Sequence, residues 1–314
     1  MLSLTFLGTA ASIPTVDRNV PGLAIQREGE TILFDCGEGT QRQMMRYGVG
    51  FTFREVFFTH YHADHLLGIT GLLRTMGLQD RASPLVLYGP KGAQKILSAA
   101  ISLGIERNKF PVEIQEVRPG DRLGRQEYDL VVFETEHRAD TVGYALVEHL
   151  RLGRFNPERA RELGIPEGPL WGRLHKGETV SLADGRTVRP ADLVGEPRNG
   201  RTLVYSGDTR PTLSVIEAAK GADLLVHEAT FGSDELERAR ETGHSTAAEA
   251  ARVALEAGVR RLLLTHISSR YNRDASELLA EARAVFPETV IARDGMTVDV
   301  PYADAVESIH DAPR

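Results

Sequence analysis

Four side chains of metal-ligand type fall within six residues in Thr59-His60-Tyr61-His62-Ala63-Asp64-His65. Imidazole suits zinc, and a carboxylate adds hard oxygen chemistry. A loop that follows a strand can send alternate side chains to different sides. His60 and His62 could then hold one cation while Asp64 and His65 hold a second. An exposed histidine-rich turn would have no need of the Asp-His ending. Three distant residues, His137, Asp208 and His266, each close a short apolar run. With three ligands per cation and one shared carboxylate, His60, His62 and His137 take one zinc. Asp64, His65 and His266 take the other, and Asp208 bridges. Each ion keeps room for solvent, as a hydrolytic site requires.

Those residues need a frame. Glu55–Thr59 leads to His60, Leu130–Glu136 to His137, Thr202–Gly207 to Asp208, Asp223–Val226 to His227-Glu228, and Arg261–Thr265 to His266. The runs have the length and the branched, aromatic composition of strands. Chemistry tends to sit where the chain leaves a sheet, so five polar exits predict one shared site along one edge. Between the runs, 91–103 reads as a helix after Gly89-Pro90. Ala247–Ala257 reads as a helix opened by the capping box Thr246-x-x-Glu249 and stopped at Gly258. Alternating strands and helices imply a layered α/β protein.

One stretch breaks this rhythm. Residues 151–199 hold five prolines and no long apolar run, and read as an inserted arm. The arm carries nine basic and seven acidic residues, a net +2 against −9 for the rest of the chain. Eight of its nine cations are arginine, which suits phosphate. His149, His175 and His310 are isolated histidines, expected at the surface.

The 314 residues are 41% hydrophobic and 26% charged, ordinary globular composition with room for a large core. A net charge of −7 argues against general adhesion to nucleic acid but leaves room for a local positive field. The opening residues lack the basic and apolar regions of a leader, and no apolar run approaches the roughly 20 residues of a membrane span. The single cysteine, Cys36, excludes an intrachain disulfide. A cytoplasmic location without membrane association is the expectation.

His60-x-His62-x-Asp64-His65, with later His137, Asp208 and His266, resembles the metallo-β-lactamase superfamily. The resemblance implies an αββα sandwich of two mixed β-sheets flanked by helices, a single domain over 1–314 with the protruding arm inserted at 151–199. It also implies that Asp35, in Leu33-Phe34-Asp35-Cys36-Gly37, orients a ligand histidine from behind. Features outside the ligand set narrow the family. Phe6-Leu7-Gly8-Thr9-Ala10-Ala11-Ser12-Ile13-Pro14, Asp35-Cys36-Gly37-Glu38-Gly39-Thr40-Gln41, His227-Glu228-Ala229-Thr230-Phe231, His244-Ser245-Thr246 and Ser268-Ser269-Arg270-Tyr271 resemble ribonuclease Z, the tRNase Z family. Leu163–Gly172, with Gly168-Pro169, resembles the flexible exosite arm of its short form.

This resemblance implies a zinc-dependent endoribonuclease that removes the 3′ trailer from precursor tRNA. A hydroxide bridging two zinc ions per subunit, with manganese or cobalt as possible substitutes, would attack phosphorus. The tRNA would keep a 3′-hydroxyl and the trailer a 5′-phosphate. Asp64 would orient the attacking water or accept its proton. His244, held by Glu228, would protonate the leaving oxygen. Arg270 and the arm residues Gly168, Pro169, Arg173 and Lys176 would bind RNA, in a homodimer. Trp171 is expected to pack the arm's small core. Two other readings use the same ligands: a two-zinc phosphodiesterase for small or cyclic phosphodiesters, and a non-catalytic tRNA-binding metalloprotein. A β-lactamase or thioesterase would explain neither the arm nor His227–Phe231.

Overall fold

A computed structural model of the chain describes residues 1–105 and 108–303, so His310 lies outside the described residues. These divide into two compact units. The first comprises 1–125, 129–146 and the chain from 201 onward; the second comprises 126–128 and 147–200.

In the first unit the strands are β1 (Leu2–Gly8), β2 (Gly22–Arg27), β3 (Glu30–Phe34), β4 (Glu55–Phe57), β5 (Leu85–Gly89), β6 (Val112–Glu116), β7 (Arg122–Gly124), β8 (Tyr128–Glu134) and β9 (Val142–Glu148). After the second unit come its strands β10 (Val180–Ser181) and β11 (Thr187–Val188), and then, back in the first, β12 (Thr202–Tyr205), β13 (Leu224–Glu228), β14 (Leu262–Thr265), β15 (Thr289–Ile291) and β16 (Thr297–Asp299). One seven-stranded sheet runs β16-β1-β2-β3-β4-β5-β6, and the other β15-β14-β13-β12-β9-β8-β7. Both are mixed. The pairs among β1, β2, β3 and β16 are antiparallel, whereas β3 to β6 run parallel. In the second sheet β12 to β15 are parallel and β7-β8 antiparallel.

Aromatic side chains join the sheets face to face. Phe34 on β3 lies 5.5 Å from Tyr144 on β9 and 6.0 Å from Tyr205 on β12, and Phe57 on β4 lies 5.3 Å from Tyr144. Such pairs add roughly 0.5–1.5 kcal/mol each beyond their buried area. Helices α1 (Thr40–Arg46), α2 (Ala63–Leu66), α3 (Gly68–Leu78) and α4 (Ala93–Ile101) follow strands of the first sheet. Met44, Ile69, Leu72, Met76 and Leu97 close a buried core against Leu33, Val56 and Leu87. The helix read over 91–103 is shorter because Gly92 adopts a left-handed backbone at its start.

The second unit supplies α5 (Pro157–Glu162), α6 (Pro169–His175) and the β10-β11 hairpin. It owns a small core of Ala160, Ile165, Leu174, Val180, Val188 and Leu193, with Trp171 packed against it. Its longer stretch, 147–200, includes the 151–199 segment. His149 is exposed, but His175 is only half-buried at the surface and donates from Nε2 to Gly153 O at 2.9 Å.

On the second sheet lie α7 (Leu213–Ala218), α8 (Leu236–Thr242), α9 (Ala247–Ala257) and α10 (Ser276–Val285). The α9 bounds agree with those read from sequence. Thr246 Oγ1 accepts from Glu249 N, Glu249 Oε2 accepts from Thr246 N, and Gly258 is left-handed. This cap stabilises α9 by about 1 kcal/mol. The alanines of α9 turn inward onto β13 and β14. No helix of the described residues is long and apolar enough to cross a membrane.

Candidate metal centre

His60, His137, Asp208 and His266 follow strand ends, whereas Asp64 and His65 lie in α2, which the sequence reading takes as a loop. β4 stops at Phe57, three residues before His60, and β8 stops at Glu134 before His137. β12 stops at Tyr205, and Gly207 then takes a left-handed turn. A Cβ there would sit 2.7 Å from Thr59, so only glycine lets Asp208 approach His60 this closely. One strand departs from the sequence reading. His227 and Glu228 lie inside β13 rather than beyond it, because β13 stays paired with β14 through Glu228–Thr265.

Three overlapping groups of donor atoms form, one of them Asp208, His244 and His266. His60, His62, His137 and Asp208 bring one ligand atom each within 4.8 Å of one another, and so do Asp64, His65 and His266. In the first group His62 Nδ1 lies 3.0 Å from His60 Nε2 and 3.1 Å from His137 Nε2. Asp208 stands between the groups. Its Oδ2 is 3.7 Å from His60 and 3.3 Å from His266, and its Oδ1 is 3.4 Å from His65. Asp64 Oδ2 reaches His266 Nε2 at 3.4 Å and His65 Nε2 at 3.7 Å.

The surroundings fix which nitrogen of each ring keeps its lone pair. Asp35 is fully buried and accepts the Thr59 hydroxyl at 3.0 Å, the Tyr205 hydroxyl at 2.9 Å and His65 Nδ1–H at 2.8 Å. With its proton on Asp35, the Thr59 hydroxyl accepts from His60 Nδ1–H at 3.0 Å. Thr230 repeats the device: its hydroxyl donates to Glu228 Oε2 and accepts from His266 Nδ1–H, both at 2.8 Å. His137 Nδ1–H donates to Gly243 O at 2.7 Å. All four rings therefore present an unprotonated Nε2 to the centre.

Facing lone pairs and two carboxylates repel unless a cation lies among them. His65 Nε2, buried without a hydrogen-bond partner, marks the place. The donor set, imidazole nitrogens with carboxylate oxygens, fits divalent cations of the zinc type. Asp35 and His266 both adopt left-handed backbones, at φ 53° and 57°. That strain is tolerated where the surrounding bonds over-determine the geometry. Burial opposes the charge on Asp208, yet the facing histidines hold its pKa well below the usual carboxylate range.

In the third group, His244 Nδ1–H donates to Glu228 Oε1 at 2.7 Å. Glu228 is buried, yet its two oxygens also accept from Thr209 N, Thr230 N, the Thr230 hydroxyl and Ser245 N. Those donors, with the His244 charge, keep it ionised. Burial disfavours charge on His244, but Glu228 outweighs it and lifts the pKa to about 9. Nearby, Arg270 lies 3.4 Å from Glu235, so in this structure its guanidinium faces a carboxylate.

Gly168, Pro169, Arg173 and Lys176 belong to the second unit. Gly168 adopts φ 140°, open chiefly to glycine, and Pro169 starts α6 with its φ already helical. Arg173 is paired with Glu178 at 2.8 Å, and Lys176 is exposed at the end of α6.

Sequence reading missed Thr59, Thr230, Tyr205 and the Gly243 carbonyl, which set the ring tautomers. It also missed Ser12, whose left-handed backbone N–H donates to Asp64 Oδ2 at 2.8 Å. Adjacency was the available signal, since Thr59 precedes His60 and Thr230 stands two residues after Glu228.

A family model described as "Anti-Pycsar protein Apyc1" matches residues 2–151, and one described as "Beta-lactamase superfamily domain" matches 173–267. The chain is 58% identical to the ribonuclease Z of Gemmatimonas aurantiaca over 314 residues, covering 99% of each chain. It is 57% identical to that of Myxococcus xanthus over 305 residues, covering 97% of this chain and 99% of the relative. Among solved structures, human tRNase Z, short form, superposes with a TM-score of 0.69 at 25% identity. That match covers 95% of this chain and 99% of the human one.

Proposed function

The chain belongs to the ribonuclease Z family, and from that membership we propose how its residues divide the work of cutting precursor tRNA. It is a hydrolase of tRNA phosphodiester bonds with the metallo-β-lactamase fold, acting in removal of the 3′ trailer. The cut leaves a 3′-hydroxyl on the tRNA and a 5′-phosphate on the trailer. The observation that carries the site assignment is the locking of four rings with their lone pairs inward around two carboxylates.

In the proposed assignment His60, His62 and His137 hold one zinc ion, Asp64, His65 and His266 hold the second, and Asp208 serves both. Manganese or cobalt could substitute. Such cations supply Lewis acidity that polarises the phosphate and brings a water's pKa toward neutrality.

The chain's own groups do the rest. The Ser12 N–H fixes Asp64 Oδ2, leaving this carboxylate positioned to orient the water and take its proton. Glu228 fixes the His244 ring through Nδ1, leaving Nε2 to protonate the departing ribose 3′ oxygen. Asp35 acts from behind, holding His65 directly and His60 through Thr59. Arg270 exchanges its Glu235 contact for an RNA phosphate. The 147–200 unit, with Gly168, Pro169, Arg173 and Lys176, grips the body of the tRNA. In a homodimer the arm of one subunit would serve the site of its partner, and the cytoplasm is the proposed setting.

The test is to incubate zinc-loaded protein with end-labelled precursor tRNA and to map both product ends. A single cut at the trailer junction with the stated termini is expected. Tight binding without cleavage would favour the non-catalytic reading. Cleavage of a small chromogenic phosphodiester alone would favour the small-substrate phosphodiesterase.

A further inference from the structure

An open cleft of about 910 Å³ lies in the first unit, bordered by residues that the reaction above does not use. Arg46 and Tyr47 line it at the end of α1, Asn272 and Arg273 before α10, and Arg293 beyond β15. Arg46, Arg273 and Arg293 are exposed, and none has a carboxylate oxygen within 4.0 Å among the described residues. The acids of the same cleft are occupied. Asp294 accepts from Asn19 N, Gln43 Nε2 and the Thr9 hydroxyl, Asp17 from Asn272 Nδ2, and Asp274 from Ser276 N. Arg18, Arg46, Arg273 and Arg293 against Asp17, Asp274 and Asp294 give the lining a net +1 in a chain of net −7, with three of the guanidiniums exposed and free of carboxylate partners among the described residues.

The cleft adjoins the metal centre through two loops. Near the centre, Ile267 N donates to Thr9 O, Ala11 N to Ile267 O, and Ser12 N to Asp64. A few residues onward the loops meet again through Thr15 and Asn272 at 2.5 Å, and there they wall the cleft. From His266 to Arg273 is seven residues, so the backbone can separate them by at most roughly 25 Å. Arg46 also lies over the Tyr47 ring, 5.6 Å from its centre.

We propose that this cleft binds the phosphates of the single-stranded trailer, the part of the substrate that leaves. The inference rests on the ribonuclease reading above. It makes the cleft a second RNA contact, separate from the arm, which acts on the body of the tRNA. On this proposal its contribution grows with trailer length, because a longer trailer brings more phosphates to the three arginines.

Precursor tRNAs with a trailer of about ten nucleotides and of one nucleotide test this, given to wild type and to a triple variant, Arg46→Ala with Arg273→Ala and Arg293→Ala. The variant is expected to raise KM about tenfold on the long trailer only, and to flatten the log KM against log salt dependence by about 2. Lysine at the same three positions should restore most of the loss. A loss equal on both substrates, or no loss on either, overturns the cleft assignment while leaving the ribonuclease reading intact. Wild type that cuts neither substrate overturns the reading itself. Fluorescence anisotropy with a trailer RNA oligonucleotide gives a readout independent of turnover, and equal affinity of wild type and the folded variant also overturns the proposal.

Discussion

The metal edge and the 147–200 unit use charge in opposite ways. At the edge, Asp35, Asp64, His137, Asp208 and His266 come from distant parts of the chain and are brought together by two sheets. Asp35, Asp208 and His266 are buried and Asp64 and His137 half-buried, and the hydrogen bonds behind them dictate the protonation of the rings. In the 147–200 unit the charges are exposed and answered by neighbours in sequence. Arg159 meets Glu162, Arg161 meets Glu167, Arg173 meets Glu178 and Arg186 meets Asp184, each at 2.7–2.8 Å. Exposed pairs of this kind contribute about 0–1 kcal/mol, so an RNA phosphate can displace them at little cost. A broken bond at the edge strands a buried group, whereas a broken pair in the arm returns two groups to water. On the proposed reading, chemistry is concentrated in a few residues and recognition is spread over many.

The sharpest way to break this contrast is Asp208→Ala. Asp208 serves both donor groups, so its loss should lower cleavage roughly 10⁴-fold together with metal content. Plasma mass spectrometry of the purified variant would check the metal, and hydrogen exchange in 147–200 should stay as in wild type. Full metal loading with full loss of cleavage would show that Asp208 acts in some other way.

His244→Ala should come next, with a fall of about 10²–10⁴ in kcat and little change in KM. Metal content separates two geometries here. His244 also lies with Asp208 and His266 in a third group of donor atoms. Parallel loss of metal and turnover would make it a ligand, and retained metal fits the donor role. Glu228→Gln should follow His244→Ala in direction, because it removes the carboxylate that holds the ring.

The clustering of these histidines and aspartates was legible because metal chemistry narrows residue type: the two in such numbers have few other uses. The α9 helix was legible too, since Thr246, Glu249 and Gly258 each have one local reason to stand where they do. The shell behind the ligands was not. Threonine and tyrosine hydroxyls serve many purposes, and nothing local to Thr59 or Tyr205 says that Asp35 will meet them across two sheets. The Gly243 carbonyl carries no sequence signal at all. Arg270 was read toward RNA phosphate, with a nearby carboxylate as the other reading; the fold supplies that carboxylate as Glu235, 35 residues away in the chain.

Removal of Arg154–Arg189 behind a short glycine link tests the other side of the contrast. Precursor-tRNA cleavage should fall roughly 100-fold through KM, from lost positioning, while a small chromogenic phosphodiester is cut as before. Equal survival of both activities would transfer recognition away from the arm and favour the small-substrate reading.

The smallest expected effect is the one most characteristic of the arm. Arg173→Ala removes one cation that already has a partner, so KM should rise only about twofold to threefold, and the change should fade at high salt. Glu178→Ala, which frees Arg173 from its pair, should lower KM by a similar factor, because the guanidinium no longer has to leave a carboxylate to meet phosphate. Opposite signs from the two ends of one ion pair are what displaceable pairing requires. If both substitutions weakened binding alike, the pair would be holding the shape of α6, and the arm would resemble the metal edge more than it differs from it. The comparison is made by measuring KM for precursor tRNA at two salt concentrations.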